Sequence, residues 1–233
     1  MYTIDYLLTH SNLPGPRGNL ELLYAFAKSA DEGLVEQCLA YITEDVSNSP
    51  EEFVGMCGVL GYAVLHREDI RGVIRFLRPY AAHASWRIRE AAAMGIQEIS
   101  VGRVAQTLAG LAEMAAGNEY EQRAVVAGLC EPKLLTDPAC NRQILRLLTE
   151  ITQGLAPEGK LSPAGEALRK ALGYGWSVVM AASPADGKAA FEGLLDLPGK
   201  HVRWVIRENL KKNRLMRMDA DWVGEMQQRL APL

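Results

Sequence analysis

A five-residue phrase occurs twice in this chain and constrains its fold more than any other feature. Residues 86–90 read Trp-Arg-Ile-Arg-Glu and residues 204–208 read Trp-Val-Ile-Arg-Glu. Two weaker echoes lie between them, at residues 120–124 and 166–170. Self-similarity at a period of roughly 30–50 residues is typical of stacked helical repeats, so the sequence predicts a repeated helical unit. The arginines that mark the period are Arg89, Arg123, Arg169 and Arg207.

Helix start signals recur throughout the chain. Ser49-Pro50-Glu51-Glu52 has the pattern of a capping box, with serine at the N-cap and glutamate three positions later. After Asp69, apolar residues at 70, 73, 74 and 77 share one helix face. Such patterns predict about twelve helices and no strand. The helices pair into hairpins at about 33–66, 70–99, 102–130, 138–181 and 184–213, with helices 20–30 and 219–230 at the two ends.

An isolated helical hairpin cannot bury both of its apolar faces, whereas stacked hairpins cover one another. The predicted connections are mostly short, and no segment rich in glycine, serine or charge divides the chain. We therefore predict an all-α fold, an α-solenoid that forms a single domain over residues 1–233. Residues 1–19 form its irregular N-terminal segment. The sequence leaves open whether Pro14-Gly15-Pro16 only leads into the first helix or folds over one end of the solenoid.

The second helices of these hairpins resemble the second helices of HEAT repeats, on residues 87–93 and 205–210. The resemblance implies a right-handed α-solenoid of about five HEAT-like hairpins with capping helices. In that family the second helices line the concave surface, so the implied function is a non-catalytic scaffold that grips a protein partner there. The family's repeated arginine often pairs with an aspartate of a neighbouring turn. The turns that precede the arginines here mostly lack it.

One branch of this fold contains DNA glycosylases for alkylated bases, and residues 204–208 are similar to an aromatic-and-arginine segment of that branch. This similarity implies an alternative function, a DNA-binding protein that uses the basic segment 200–217. The branch places an aspartate one helical turn after a tryptophan. In this chain Glu90 and Glu208 stand at those positions.

The net charge of −3 conceals a strong asymmetry. Residues 19–52 contain eight acidic residues and one lysine, whereas residues 200–217 contain seven lysines or arginines and one glutamate. A row of cations can bind phosphates or an acidic peptide, and it can equally be a solvated helix face. The asymmetry also makes self-association possible. The candidate partner- or phosphate-binding residues are Arg203, Arg207, Lys211, Lys212, Arg214, Trp204, Arg89 and Arg123.

The sequence contains no assembled catalytic set, and we predict neither a metal site nor a cofactor. The sequence of residues 154–161 is close to the motif of a phosphate-binding P-loop. Leu161 stands where that loop needs serine or threonine, and Pro157 removes a backbone donor. A connecting loop is the preferred interpretation.

Four cysteines, at positions 38, 57, 130 and 140, have no metal-binding spacing, so we predict buried free thiols. The longest uncharged run is shorter than the roughly 20 apolar residues that cross a bilayer, and the N-terminus lacks the features of a signal peptide. Together these observations predict a cytoplasmic protein.

Overall fold

A computed structural model of the chain describes residues 2–230, so Met1 and residues 231–233, the ends of the predicted domain, lie outside the described residues. The described chain is all-helical and contains no β-strand, as the helix signals predict. Its helices form two compact units, Met1–Leu111 and Ala112–Leu233, which are described separately. The prediction of a single domain over both units stays a prediction. None of the helices formed by the described residues combines the length and the apolar content that a bilayer crossing requires.

The first unit is built around one central helix, α4, whose N-terminal serine caps it as predicted. Ser49 Oγ accepts a hydrogen bond from the Glu52 amide. Gly58 allows the preceding helix to approach, since a Cβ there would lie 2.7 Å from the backbone nitrogen of Leu39. The helices of this unit are α1 (Ile4–Thr9), α2 (Leu20–Ala27), α3 (Glu32–Leu39), α4 (Pro50–Leu65), α5 (Ile70–Ala81), α6 (Trp86–Ser100) and α7 (Val104–Gly110).

The second unit is organised around a 20-residue helix, α11, which packs against α9 and α13. Trp176 of α11 is fully buried and donates its indole N–H to Thr152 Oγ1 of α10 at 3.1 Å. The α-helices of this unit are α8 (Ala112–Ala115), α9 (Glu119–Leu129), α10 (Pro138–Gln153), α11 (Pro163–Ala182), α12 (Pro184–Glu192), α13 (Lys200–Leu210), α14 (Asn213–Met218) and α15 (Ala220–Leu230).

The prediction that residues 1–19 are irregular is wrong for residues 4–9, which form α1. Thr3 caps this helix by accepting a hydrogen bond from the Tyr6 amide at 3.2 Å, and Leu7 is fully buried. A helix of six residues is too short to show the 3.6-residue periodicity on which the prediction relied. Tertiary burial of Leu7 stabilises it instead.

The first helix of the hairpin predicted over residues 102–130 is divided, because α7 ends at Gly110 and α8 begins at Ala112. Gly110 packs closely against α5, where a Cβ would lie 2.6 Å from the side chain of Ile74. The apolar residues at 144, 147, 148 and 151 predict one buried stripe for α10, and the structure buries three of them, with Leu145 in addition. Leu148 is buried, whereas Leu147 is only half-buried.

The segment around Gly15, whose placement the sequence left open, is tied to α4 and α6 by a buried ion pair. Arg87 Nη1 contacts Glu52 Oε2 at 3.0 Å, and Arg87 Nη2 donates to the Gly15 carbonyl at 2.6 Å. Ser85 Oγ donates to the other oxygen of Glu52. The Glu52 carboxylate is completely buried. Both charges therefore serve the fold.

The four cysteines are buried and free, as predicted. Burial raises the pKa of the Cys38 and Cys130 thiols to about 12. A protonated thiol is a poor nucleophile and a poor metal ligand, so these two side chains act as small apolar groups.

Candidate binding surface

Helix α13 presents one row of polar and aromatic side chains to solvent. It begins after Gly199, which has a left-handed φ of 105° and lies where a Cβ would meet the backbone of Pro157. Val202, Val205 and Ile206 are buried on one side of the helix. The opposite side carries side chains at i, i+4, i+7 and i+11, the spacing of a single helix face. These are Lys200, Trp204, Arg207 and Lys211.

Arg203, which the sequence places in a row with Arg207 and Lys211, is directed towards the last helix. Its Nη2 donates to the carbonyl of Leu230, at the end of α15, at 2.5 Å. A cation at this position also interacts favourably with the C-terminal end of the helix dipole. Arg203 therefore anchors α15.

Trp204 is held by contacts from α11. The guanidinium of Arg169 lies 4.5 Å from the centroid of the indole ring. Gly173 touches the ring edge, since a Cβ there would lie 2.8 Å from Trp204 Cζ3. Arg169 is itself fixed, because Nη2 donates to Glu166 at 2.6 Å and Nη1 donates to His201 Nδ1 at 3.0 Å. The half-buried indole therefore occupies a defined position.

Tyr174 of α11 lies close to cations from the C-terminal part of the chain. Tyr174 is 44 % exposed. Arg214 Nη2 donates to the Tyr174 hydroxyl at 2.7 Å, and the guanidinium lies 4.6 Å from the ring centroid. Lys212 Nζ lies 6.0 Å from the same centroid. Cations at such distances are attracted to the ring face.

A buried asparagine of α13 fixes the turn of α11 that carries Tyr174. The Asn209 amide accepts from the backbone N–H of Ser177 at 2.9 Å and donates to the carbonyl of Leu172 at 2.9 Å. Ser177 Oγ in turn donates to the Tyr174 carbonyl at 2.7 Å. Asn209 is fully buried, so these bonds form away from water and hold α11 and α13 in one register.

Arg207 on the exposed face of α13, and Lys212 and Arg214 beside Tyr174, have no carboxylate partner among residues 2–230. Their neighbours are neutralised, since Lys211 bonds Glu208 at 2.5 Å and Lys200 lies 4.0 Å from Glu158. We call these three cations, together with the neighbouring residues, the Tyr174 surface. It consists of Tyr174, Trp204, Arg207, Lys211, Lys212 and Arg214.

The two remaining predicted site residues lie elsewhere. Arg89 belongs to the first unit, where Nη1 donates to the carbonyls of His83 and Ala84 at 2.5 and 2.7 Å. Arg123 lies partly buried on α9. The structure therefore brings together Trp204, Arg207, Lys211, Lys212 and Arg214 of the predicted set.

Sequence reasoning missed Tyr174, which lies inside the longest uncharged run of the chain. An aromatic residue between Gly173 and Gly175 in a helix is the one local signal that could have identified it. Both glycines permit close helix contacts, with Trp204 on one side and Cys130 on the other. The contacts from Asn209 and Arg214 cannot be read from the sequence around Tyr174.

Comparisons with protein-family models, with curated proteins and with solved structures find no match to this chain. Within the described residues, no three His, Cys, Asp or Glu side chains are grouped to hold a metal ion. The interpretation of the Tyr174 surface therefore rests on its own geometry.

Proposed function

We propose that this protein is a non-catalytic scaffold that binds an acidic segment of a protein partner on the Tyr174 surface. One observation carries the proposal. Arg207, Lys212 and Arg214 lack a carboxylate partner among the described residues, while Lys211 and Lys200 next to them are paired. Charged groups without a carboxylate partner of their own can set the specificity and the rate of association with an oppositely charged protein.

The same proposal includes a HEAT-like, right-handed α-solenoid of about five hairpins. Within the first unit α4 packs beside α6, and within the second unit α11 packs between α9 and α13. These are the second helices of consecutive predicted hairpins, and side-by-side packing of such helices is what a stacked repeat requires. Small-angle scattering tests it, because a solenoid gives a larger radius of gyration than a spherical bundle of equal length.

A cytoplasmic location is part of the proposal as well. The four cysteines are buried and unpaired, which suits a reducing compartment. Fractionation of the source cells tests this location, and recovery with the membrane or secreted fraction would contradict it.

Two features favour an acidic protein segment over nucleic acid. The chain has a net charge of −3, which repels a long polyanion. In addition, Glu208 and Glu166 lie in the immediate surroundings of Trp204. A short acidic peptide can contact the unpaired cations without approaching these carboxylates.

Fluorescence anisotropy with a labelled oligoglutamate peptide tests the proposed function. We expect binding that weakens with salt, and Arg207→Ala combined with Lys211→Ala should weaken it at least about tenfold, or 1.4 kcal/mol. The matched control is Arg142→Ala combined with Arg146→Ala, which removes two exposed arginines at the same spacing from α10. An equal loss in both double variants, or no binding by the unchanged protein, would contradict the proposal.

Nucleic-acid binding is a second candidate, and the aromatic rings favour it. Trp204 and Tyr174 both lie among cations, an arrangement that can stack bases beside a phosphate backbone. If this function is correct, a labelled duplex or single-stranded oligonucleotide binds with an affinity that falls steeply with salt. The Arg207→Ala and Lys211→Ala variant should reduce that affinity further. Absence of binding at low ionic strength would exclude it.

A further inference from the structure

Tyr174, Arg214 and Lys212 together present several hydrogen-bond donors that can bind a ligand. Arg214 Nη2 donates to the phenol oxygen. Because that oxygen already accepts, the Tyr174 O–H is available to donate in another direction. The guanidinium keeps its other N–H groups, and Lys212 Nζ adds an ammonium near the same ring. A ligand that suits this arrangement offers several acceptor atoms and no donors.

The charge of the arrangement selects among such ligands. Arg214 and Lys212 carry two positive charges, and no carboxylate lies within ion-pair distance of either in the part of the chain that the structure describes. A carboxylate neutralises one of these charges, whereas a phosphomonoester carries about −1.5 to −2 at pH 7 and has three strong acceptor oxygens. Arginine also binds phosphate through two parallel N–H bonds, which adds geometric specificity.

The donors are held in place before a ligand arrives. The Arg214 guanidinium lies over the Tyr174 ring and bonds its hydroxyl, so that the flexible side chain is already oriented. The backbone below Tyr174 is fixed by the buried Asn209 amide. Such preorganisation lowers the entropy lost on binding.

We propose that Tyr174, Lys212 and Arg214 form a site for a phosphomonoester group on the partner segment, an inference that rests on the function proposed above. The phosphate binds between the guanidinium of Arg214 and the ammonium of Lys212 and accepts a hydrogen bond from the Tyr174 hydroxyl. The acidic residues around the phosphate contact Arg207, which has no carboxylate partner among the described residues. The partner is therefore an acidic protein segment that carries a phosphorylated side chain.

The test compares an acidic peptide that contains one serine with the same peptide carrying phosphoserine, by isothermal titration calorimetry. We expect the phosphopeptide to bind at least about tenfold more tightly, which corresponds to 1.4 kcal/mol. Arg214→Gln should abolish this advantage. Tyr174→Phe keeps the ring and should reduce the advantage at least about threefold, since it removes the hydrogen bond from the hydroxyl to the phosphate and the acceptor that orients Arg214. Circular dichroism establishes that both variants are folded.

The matched control is Arg146→Gln on α10, an exposed arginine with the same loss of charge. This variant should retain the full preference for the phosphopeptide. Equal affinity for the two peptides would overturn the phosphate site and leave the proposed function standing, whereas binding of neither peptide would overturn both. A preference that survives Arg214→Gln would also overturn the site, as would tighter binding of an oligonucleotide that lacks a terminal phosphate.

Discussion

The two copies of the repeated phrase lie in different units and use the same residues differently. The isoleucines Ile88 and Ile206 are both fully buried. Their neighbouring arginines differ, because Arg89 donates to two backbone carbonyls at the turn before α6, whereas Arg207 is exposed and has no carboxylate or carbonyl partner among residues 2–230. The phrase thus fixes a core position but not the role of its arginine.

The start of each helix explains the difference. Helix α6 begins at Trp86, so the carbonyls of His83 and Ala84 lie before the helix and can accept from Arg89. Helix α13 begins at Lys200, four residues ahead of its tryptophan. The carbonyls at the equivalent positions are then inside the helix, where backbone N–H groups occupy them. Arg207 therefore lacks the local backbone acceptors that Arg89 has.

We expect the largest loss of stability from a substitution at the second position of the repeated phrase. This position is the buried Arg87 in the first copy and the buried Val205 in the second. Arg87→Ala leaves Glu52 buried without its partner, and removing one member of a buried pair typically costs about 3–5 kcal/mol. Urea unfolding should show a loss of this size. A loss below about 1 kcal/mol would show that the buried pair does not stabilise the first unit.

The first position of the phrase also differs, since Trp86 is 53 % exposed while Trp204 is wedged against Gly173. Gly173→Ala inserts a methyl group where the ring edge lies, and overpacking of this kind costs about 1–3 kcal/mol. Urea unfolding and the tryptophan emission maximum measure the loss and the displacement of the ring.

The control for Gly173→Ala is Gly224→Ala in α15, where nothing lies within 4 Å of the added Cβ. Alanine at a helical position of this kind should stabilise the protein by about 0.4–1 kcal/mol. Equal effects of the two alanines would contradict the packing described for Trp204.

The smallest expected effect is a loss of stability at low pH near α15. Two carboxylates there, Asp219 and Glu192, are paired with Lys188 and Arg229. Hydrogen bonds lower the pKa of Asp219, chiefly one from Lys188, and that of Glu192, chiefly one from the Trp222 indole. Because these carboxyl pKa values are lower in the folded protein, the stabilisation is present above the unfolded values near about 4. It is lost as the pH falls through the folded values.

We therefore expect the urea midpoint to decrease between about pH 5 and pH 3, and Asp219→Asn should flatten this decrease. An unchanged pH profile in that variant would show that Asp219 does not hold α15. Because Arg207, Lys212 and Arg214 lack carboxylate partners among the described residues, the Tyr174 surface itself adds no acid-sensitive pairs through them.

Local signals predicted much of the fold, because helix capping depends on few residues. Ser49 and Asp69 each accept a backbone N–H at the start of a predicted helix. The all-helical class followed from these signals. The solenoid arrangement stays a prediction, because it depends on how successive hairpins pack.

The Tyr174 surface was only partly predictable from the sequence. The cations of α13 and α14 are visible in the sequence, but their roles depend on distant residues. Arg203 is oriented by the Leu230 carbonyl, and Arg214 by Tyr174, 40 positions away. Such contacts arise from tertiary packing and have no local signature.

The most direct test of the central claim measures stability and peptide binding together for Arg89→Ala and Arg207→Ala. We predict that Arg89→Ala lowers the unfolding free energy by about 1 kcal/mol and leaves oligoglutamate binding unchanged. Arg207→Ala should keep stability within about 0.5 kcal/mol and weaken binding. If Arg207→Ala instead destabilises the protein as much as Arg89→Ala and leaves binding intact, both arginines serve the fold and the claim is wrong.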